Sequence, residues 1–480
     1  MCTIQQPRAS KCLEATLFRA WRMSQYQNKL GWIAMTKYFG TNGARGTFKQ
    51  LTPEIALRIA QAVGIYFKRG RIIVARDMRL TSDVLWHAVV SGLLSVGCDV
   101  VDLGMVSSPT AEFMLKKMKA DGLIIITASH NPPEYNGIKV VDGAGVAVSR
   151  ERAEEIERLM ERPQHAEWDK IGKLTHYERA IEDHIDAIAR HINVEKIRKK
   201  KPRLVLDCGN GMASLIAPRL FKKLGCDVIL LNSDVDGHFP GRPSEPTAEN
   251  VKEMLSLVRE EKADAGIAWD GDADRVAFSD ERGEYVIGDK VFALSVFLKL
   301  KERKGNVVST VATSLAIEEI AKAYGSKVIY TKIGAPYLSE EIAKGNAVIA
   351  GEEVGGVIWP EISLAKEGLF TAARIVEAIC EKPLSEWLRE IPDYKNIKEK
   401  IPADEKMKKA IVERVKKYAK ENNLSFIDID GVRINLEDGW VIVRASGTEN
   451  YVRIFAEAKT EKRAREILDK YKSVIGVSNP

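Results

Sequence analysis

Short runs of β-branched and aliphatic residues alternate along this chain with stretches whose apolar positions recur at helical spacing. Residues 71–109 read RIIVARD, a polar turn, a helix-length stretch, then GCDVVDL. The same order returns at 203–236 as RLVLDCG and GCDVILL, and at 305–336 as GNVVSTV and GSKVIYT. Gly97, Gly225 and Gly325 hold matching places, 128 and 100 residues apart. Each segment predicts a strand, an amphipathic helix and a second strand. Such βαβ crossovers turn right-handed and join mostly parallel, buried strands. The expected fold class is therefore α/β, with three similar α/β domains built on βαβ repeats.

The tail breaks this pattern. From about Asp393 it predicts a helix over 403–422, paired strands over 440–444 and 451–456, and a last helix over 461–474. That is a smaller α+β domain, with 391–402 as the expected linker. The expected boundaries are 35–155, 156–287, 288–390 and 391–480. Residues 1–34 carry five Lys/Arg and a single acid, Glu14, without the long apolar core of a secretory signal. An acid-poor, Arg-bearing start fits a transit peptide. Organised sequence begins only at Met35, however, so the preferred expectation is an extension outside the fold.

Composition narrows the classes. A chain of 480 residues, 45% hydrophobic and 29% charged, is long enough to bury several cores. No apolar run approaches the ~18 residues of a membrane span; the most apolar stretch, 89–106, is broken by Asp99 and Asp102. The net charge of +6 is small for this length. The one dense basic run, 196–201 (KIRKKK), reads as a solvated face rather than the stripe of a nucleic-acid binder. Neither a nucleic-acid nor a membrane partner is expected. Six cysteines without C-x-x-C spacing point to a reducing, cytoplasmic compartment. The oligomeric state stays open, a homo-oligomer included.

Four loops carry candidate chemistry. Thr127-Ala128-Ser129-His130-Asn131-Pro132-Pro133 follows the apolar run LIIIT. A strand ending in a small-residue turn presents a hydroxyl where α/β ligand sites lie. His130 and Lys139 are near enough to supply a proton acceptor or positive charge. Taken alone, a loop serine is more often turn chemistry. Asp270-Gly271-Asp272-Ala273-Asp274-Arg275 follows AGIAW. Carboxylates at every second position point hard oxygen ligands at one cation, which suits Mg²⁺. The rival is a calcium loop of the EF-hand kind, with Glu281 twelfth; its sixth position should be Gly and is Arg275. Gly351-Glu352-Glu353-Val354-Gly355-Gly356 offers two carboxylates to vicinal sugar hydroxyls, although alone it reads better as an ordinary turn. Arg444-Ala445-Ser446-Gly447-Thr448-Glu449-Asn450, with Arg453 beyond, has the donors of a phosphate cradle or of a plain hairpin.

Together the motifs TASHNP, DGDADR, GEE and RxSGTE, with FGTNGARG and VARDMRLTS, resemble the α-D-phosphohexomutase family. These are the phosphoglucomutases and phosphomannomutases, here of the archaeal or bacterial type. The resemblance covers Met35 to about Val474. It implies four domains around a central cleft, with Ser129 as the phosphoserine nucleophile. Asp270, Asp272 and Asp274, with Ser129, would hold one Mg²⁺. Arg45, His130, Lys139 and Arg275 would surround the migrating phosphoryl. Glu352, Glu353 and Gly355 would serve the sugar. Arg444, Ser446, Gly447, Thr448 and Arg453 would hold the distal phosphate.

The implied activity interconverts hexose 1-phosphate and hexose 6-phosphate, for glucose or mannose, through a sugar bisphosphate. Alternatives are a phosphoglucosamine mutase, a phosphatase or bisphosphate synthase using the same serine, and a non-catalytic phosphosugar sensor. The family often has Ser and His where this chain has Val354 and Gly356, Asp where it has Glu367, and Pro where it has Asn450. These departures bear on the choice of sugar.

Overall fold

Each repeat folds as the crossover its pattern predicts. The structure, a computed structural model, describes residues 37–40, 43–162, 164–446 and 450–476. The extension 1–34 lies outside the described residues.

The first unit holds β1 (Phe39–Gly40), β2 (Gly43–Thr47), β3 (Arg71–Arg76), β4 (Asp99–Met105), β5 (Gly122–Ile126), β6 (Tyr135–Asp142) and β7 (Leu174–His176). They form one sheet in the order β1-β2-β6-β5-β3-β4-β7. Strands β5, β3 and β4 are parallel, and β6 lies antiparallel on β5. The second unit holds β8 (Arg203–Asp207), β9 (Asp227–Leu231), β10 (Ala265–Trp269), β11 (Val276–Ser279) and β12 (Tyr285–Val286), in the order β12-β11-β10-β8-β9. The third holds β13 (Asn306–Thr310), β14 (Val328–Thr331), β15 (Ala347–Gly351) and β16 (Val357–Ile358), in the order β14-β13-β15-β16.

All three sheets share one plan. Three parallel strands lie in the spatial order third, first, second, and the next strand folds back antiparallel on the third. Every residue of β5 and of β10 is buried, as parallel strands covered on both faces require. The helices Ser82–Ser95, Ala213–Leu224 and Leu315–Ala323 end one or two residues before the repeat glycine. Gly97, Gly225 and Gly325 have φ of 92°, 101° and 67°, where a Cβ would be strained.

The fourth unit is an antiparallel sheet of β17 (Lys395–Pro402), β18 (Phe426–Ile427), β19 (Val432–Asn435), β20 (Gly439–Ala445) and β21 (Tyr451–Ala458), in the order β17-β21-β20-β19-β18. Helices Glu405–Glu421 and Glu461–Val474 bury Val415, Ala464 and Leu468 against Val441, Val443 and Ile454.

Two expected boundaries need correction. The stretch 391–402 is largely β17, because its backbone pairs with β21 from Lys395 to Pro402. The boundary at 155 falls inside the helix Arg150–Leu159, whose Ala153 and Ile156 pack into the first core. Strand β7 then pairs with β4, so the first unit runs to about residue 176.

The units are not independent. The second and third share a core in which Phe221 and Trp269 join Trp359 and Phe370. The third and fourth are joined by Arg433, fully buried between the rings of Tyr330 and Trp440, donating to the Val311 and Thr313 carbonyls at 2.9 and 3.3 Å. Among the described residues no helix is long and apolar enough to cross a membrane.

Candidate active site

The three α/β units carry their chemical loops in equivalent places. Ser129 lies between β5 and β6, the three aspartates between β10 and β11, and Glu352 between β15 and β16. Each loop links the third parallel strand to its antiparallel neighbour.

Ser129 is buried and held at φ 52°. One guanidinium fixes its loop: Arg79 donates to the carbonyls of Ser129, Asn131, Pro132 and Tyr135 at 2.8, 2.6, 2.6 and 2.9 Å. Arg242 acts similarly for the metal loop, donating to the Trp269 carbonyl at 2.8 Å and to Asp207 at 2.6 Å. The two loops touch. Ser129 Oγ donates to Asp270 Oδ2 at 2.8 Å, and Ser244 Oγ donates to the Ser129 carbonyl at 3.1 Å.

Asp270, Asp272 and Asp274 are buried, with oxygens within 4.8 Å of one another. Lys139 Nζ donates to Asp272 at 2.6 Å and Asp274 at 3.3 Å, and Ser108 Oγ donates to Asp272 at 2.6 Å. Burial, with the charges of Asp274 and Asp272, pushes Asp270 up to about 8. Burial opposes charge on Lys139, yet Asp272 and Asp274 outweigh it and hold the ammonium above its ordinary value. Asp272 Oδ1 and Asp274 Oδ1 remain buried without a hydrogen-bond donor, Asp274 Oδ1 facing only the charges of Lys366 and Arg275 at 3.3 and 3.9 Å. A cation held by hard oxygens fits that arrangement. Glu281 instead accepts from Ser385 N at 3.2 Å, so the calcium-loop alternative fails.

The basic residues fit an anion beside the triad. Arg45 reaches Asn131 Oδ1 at 3.0 Å, and Arg275 lies 3.5 Å from Glu245. The Nε atoms of Arg45 and Arg275 are buried without an acceptor. His130 Nδ1 is 3.5 Å from Ser129 Oγ. Burial, with Arg275, Arg45 and Lys366, pushes His130 down to about 2, so its imidazole is neutral rather than a source of positive charge.

In the loop between β15 and β16, Glu352 is buried and pairs with Lys366 Nζ at 3.1 Å. Lys366 also faces Asp274, which ties this loop to the metal loop. A Cβ on Gly356 would lie 2.3 Å from Lys366 Cδ, so the lysine stem fills the space of a side chain at 356. Gly355 at φ 84° packs on the Val276 carbonyl. Glu353 turns elsewhere: Thr310 Oγ1 lies 3.5 Å from its carboxylate, and its charged neighbours include Lys398 of the fourth unit.

In the fourth unit Arg444 and Arg453 are cross-strand partners on β20 and β21. Like charges opposite one another on a sheet are unfavourable unless an anion lies between them. Arg444 is steadied by Asp430 at 2.8 Å, and Asp430 accepts from Ile333 N of the third unit at 3.0 Å. Ser446 is buried and accepts from Lys408 at its carbonyl. Gly447 and Thr448 lie outside the described residues.

Sequence reasoning missed Arg79, Ser108, Arg242, Ser244 and Lys366. Asp77-x-Arg79 after β3 was a usable signal, since Asp77 orients Arg79 at 3.2 Å. Lys366 stands 14 residues beyond Glu352 and gives no local sign.

Four family models match in order, described as phosphoglucomutase/phosphomannomutase alpha/beta/alpha domains I, II and III over residues 36–167, 182–283 and 287–394, and the C-terminal domain over 399–472. A phosphoglucomutase/phosphomannomutase of Thermococcus kodakarensis is 44% identical over 448 residues, covering 91% of this chain and 97% of that one. A probable phosphoglucosamine mutase of Methanopyrus kandleri is 41% identical, covering 92% and 98%. The crystal structure of a phosphoglucomutase/phosphomannomutase family protein from Burkholderia thailandensis superposes with a TM-score of 0.82 at 26% identity, covering 92% and 98%. With loop geometry and sequence in agreement over the whole of the α/β repeats and the tail, this chain belongs to the phosphoglucomutase/phosphomannomutase family of phosphohexomutases.

Proposed function

We propose that this phosphohexomutase interconverts the 1- and 6-phosphates of glucose or mannose, with Ser129 carrying the phosphoryl group. The observation that carries this reading is the Ser129 hydroxyl 2.8 Å from the buried aspartate triad, beside two arginine Nε atoms without acceptors. Asp270, Asp272 and Asp274, with an oxygen on Ser129, would hold one Mg²⁺, which supplies positive charge to the oxygens of the migrating phosphoryl.

The bond from phosphorus to Ser129 Oγ breaks as the bond to a sugar oxygen forms. The sugar hydroxyl loses its proton, and Ser129 ends the step as a free hydroxyl. That proton passes to Ser129 Oγ; the neutral His130 imidazole, 3.5 Å from this oxygen, is too weak a base to hold it and orients the hydroxyl instead. Arg45 and Arg275 hold the phosphoryl oxygens throughout. The sugar bisphosphate then turns round, and the reverse step returns its other phosphate to Ser129. Glu352 and Gly355 would serve the sugar. Arg444, Ser446, Gly447, Thr448 and Arg453 would grip whichever phosphate is not reacting. Glu353 lies beside Thr310 and near Lys398, where the third and fourth units meet. A cytoplasmic setting accords with four free cysteines among the described residues.

A phosphoglucosamine mutase is the second reading, favoured by relatives at 38–41% identity that bear that name. One assay separates the possibilities. The 1-phosphates of glucose, mannose and glucosamine are each supplied with a trace of bisphosphate, and product and free phosphate are measured with and without chelator. A mutase yields 6-phosphate without free phosphate and stops in chelator. Stoichiometric phosphate release overturns the mutase reading, and undiminished turnover in chelator overturns the metal.

A further inference from the structure

His184 lies on the helix Ala180–Arg190 of the second unit, outside all four loops, yet it touches the supports of two of them. Its Nε2 faces Glu367 Oε2 at 3.2 Å, and its Nδ1 faces Thr110 Oγ1 at 3.0 Å. The ring stacks on Phe113 with centroids 5.1 Å apart. His184, Glu367 and Thr110 have no exposed surface. Nε2 and Oε2 are both buried with no hydrogen-bond partner, so these two atoms face each other, while Nδ1 meets the threonine hydroxyl.

The two residues it joins stand behind opposite sides of the aspartate triad. Thr110 belongs to the helix Ser108–Met118 of the first unit, whose Ser108 bonds Asp272 through N at 3.0 Å and Oγ at 2.6 Å. Glu367 of the third unit caps the helix Gly368–Ile379 through Phe370 N at 3.2 Å. It directly follows Lys366, which faces Asp274 and Glu352. A Cβ on Gly368 would lie 2.7 Å from the Ala273 carbonyl, so this helix start is pressed against the metal loop itself.

We propose that His184 is a positioning residue: through Thr110 and Glu367 it sets the spacing between the Ser108 and Lys366 supports, and so the shape of the carboxylate triad. An imidazole with nitrogens on opposite edges spans this gap. The glutamate at 367 is one methylene longer than an aspartate and reaches the ring. Removing either group leaves a buried charge or acceptor alone, and the supports shift to relieve it. The proposal rests on the triad being a Mg²⁺ site.

Isothermal titration of MgCl₂ into chelator-treated full-length protein tests it, alongside kcat, KM and calorimetric Tm. The wild type binds Mg²⁺. His184→Leu and Glu367→Asp bind about tenfold more weakly, with lowered kcat and an unchanged phosphosugar KM. His184→Gln, whose amide can donate to Glu367, restores most of the affinity. Glu367→Asp is decisive if His184→Leu does not fold, because aspartate caps a helix as well as glutamate does or better. Wild-type Mg²⁺ affinity in Glu367→Asp overturns the positioning role, whatever its Tm. Absence of binding in the wild type overturns the metal reading itself, and the relay with it.

Discussion

Ser129 stands in the left-handed backbone region, which costs a residue with a Cβ roughly 1–2 kcal/mol. Four carbonyl contacts from the buried Arg79 charge hold the loop in that shape and aim Oγ at Asp270. A hydroxyl presented this way is expected to carry the phosphate. Peptide mass spectrometry of fresh protein should therefore find phosphate on the Ser129 peptide. Ser129→Ala should lower kcat by on the order of 10³ or more, since no neighbouring nucleophile replaces it; full activity in that variant excludes the assignment. At this scale the candidate residues were legible in the sequence, because serine, the aspartates and the glutamate stand in short motifs. It was silent on Arg242 and Lys366, and on the carbonyls that Arg79 holds, because these contacts span long separations that only folding brings near.

The element that matters most is the turn between a third parallel strand and its antiparallel return, used three times. Close approach of the first two turns depends on Gly271. A Cβ there would lie 2.7 Å from both the Ser129 carbonyl and Ser244 Oγ. Gly271→Ala should part the two loops and lower kcat by about 10²-fold, while far-ultraviolet circular dichroism stays native. Unchanged turnover would show that the loops tolerate separation. A second prediction concerns the helix Gly288–Glu302, where burial, with Glu353 and Glu457, pushes Asp289 up to about 8. A carboxyl raised in the folded state binds its proton more tightly there than in the unfolded chain. Its effect on stability is therefore nil near pH 4 and grows unfavourable as pH rises toward 8. Asp289→Asn keeps an acceptor for Ser314 N, and should raise Tm at pH 8.5 while leaving it unchanged near pH 4. An equal shift at both pH values would place the effect in packing instead.

At the scale of the whole molecule, one candidate site is assembled from three units, with the fourth tied to the third through Asp430 and Arg433. On the proposed mechanism the bisphosphate would bind in two orientations, which disfavours tight contacts to any one ring position. Val354 offers no hydroxyl, Gly356 no side chain, and Glu352 and Lys366 are already engaged with each other. A site without a dedicated partner separates epimers only modestly. The expected kcat/KM values for glucose and mannose 1-phosphate lie within about tenfold, ~1.4 kcal/mol. A thousandfold preference would reveal a contact to the C2 hydroxyl supplied by another residue.

The sequence by itself determined the three crossovers, since strand and helix periodicity and the glycines at 97, 225 and 325 are local properties of the chain. It also determined the four motifs, whose chemistry lies in residue type and short spacing. Only the tertiary structure decided that three of those motifs occupy the same turn of a repeated sheet, and that Ser129 meets Asp270 across 141 residues. It alone placed Glu353 beside Thr310 and Lys398, made 395–402 an edge strand, and extended the first unit to β7. Those outcomes depend on backbone pairing and on the balance of buried charges between distant segments, and no window along the chain contains both partners.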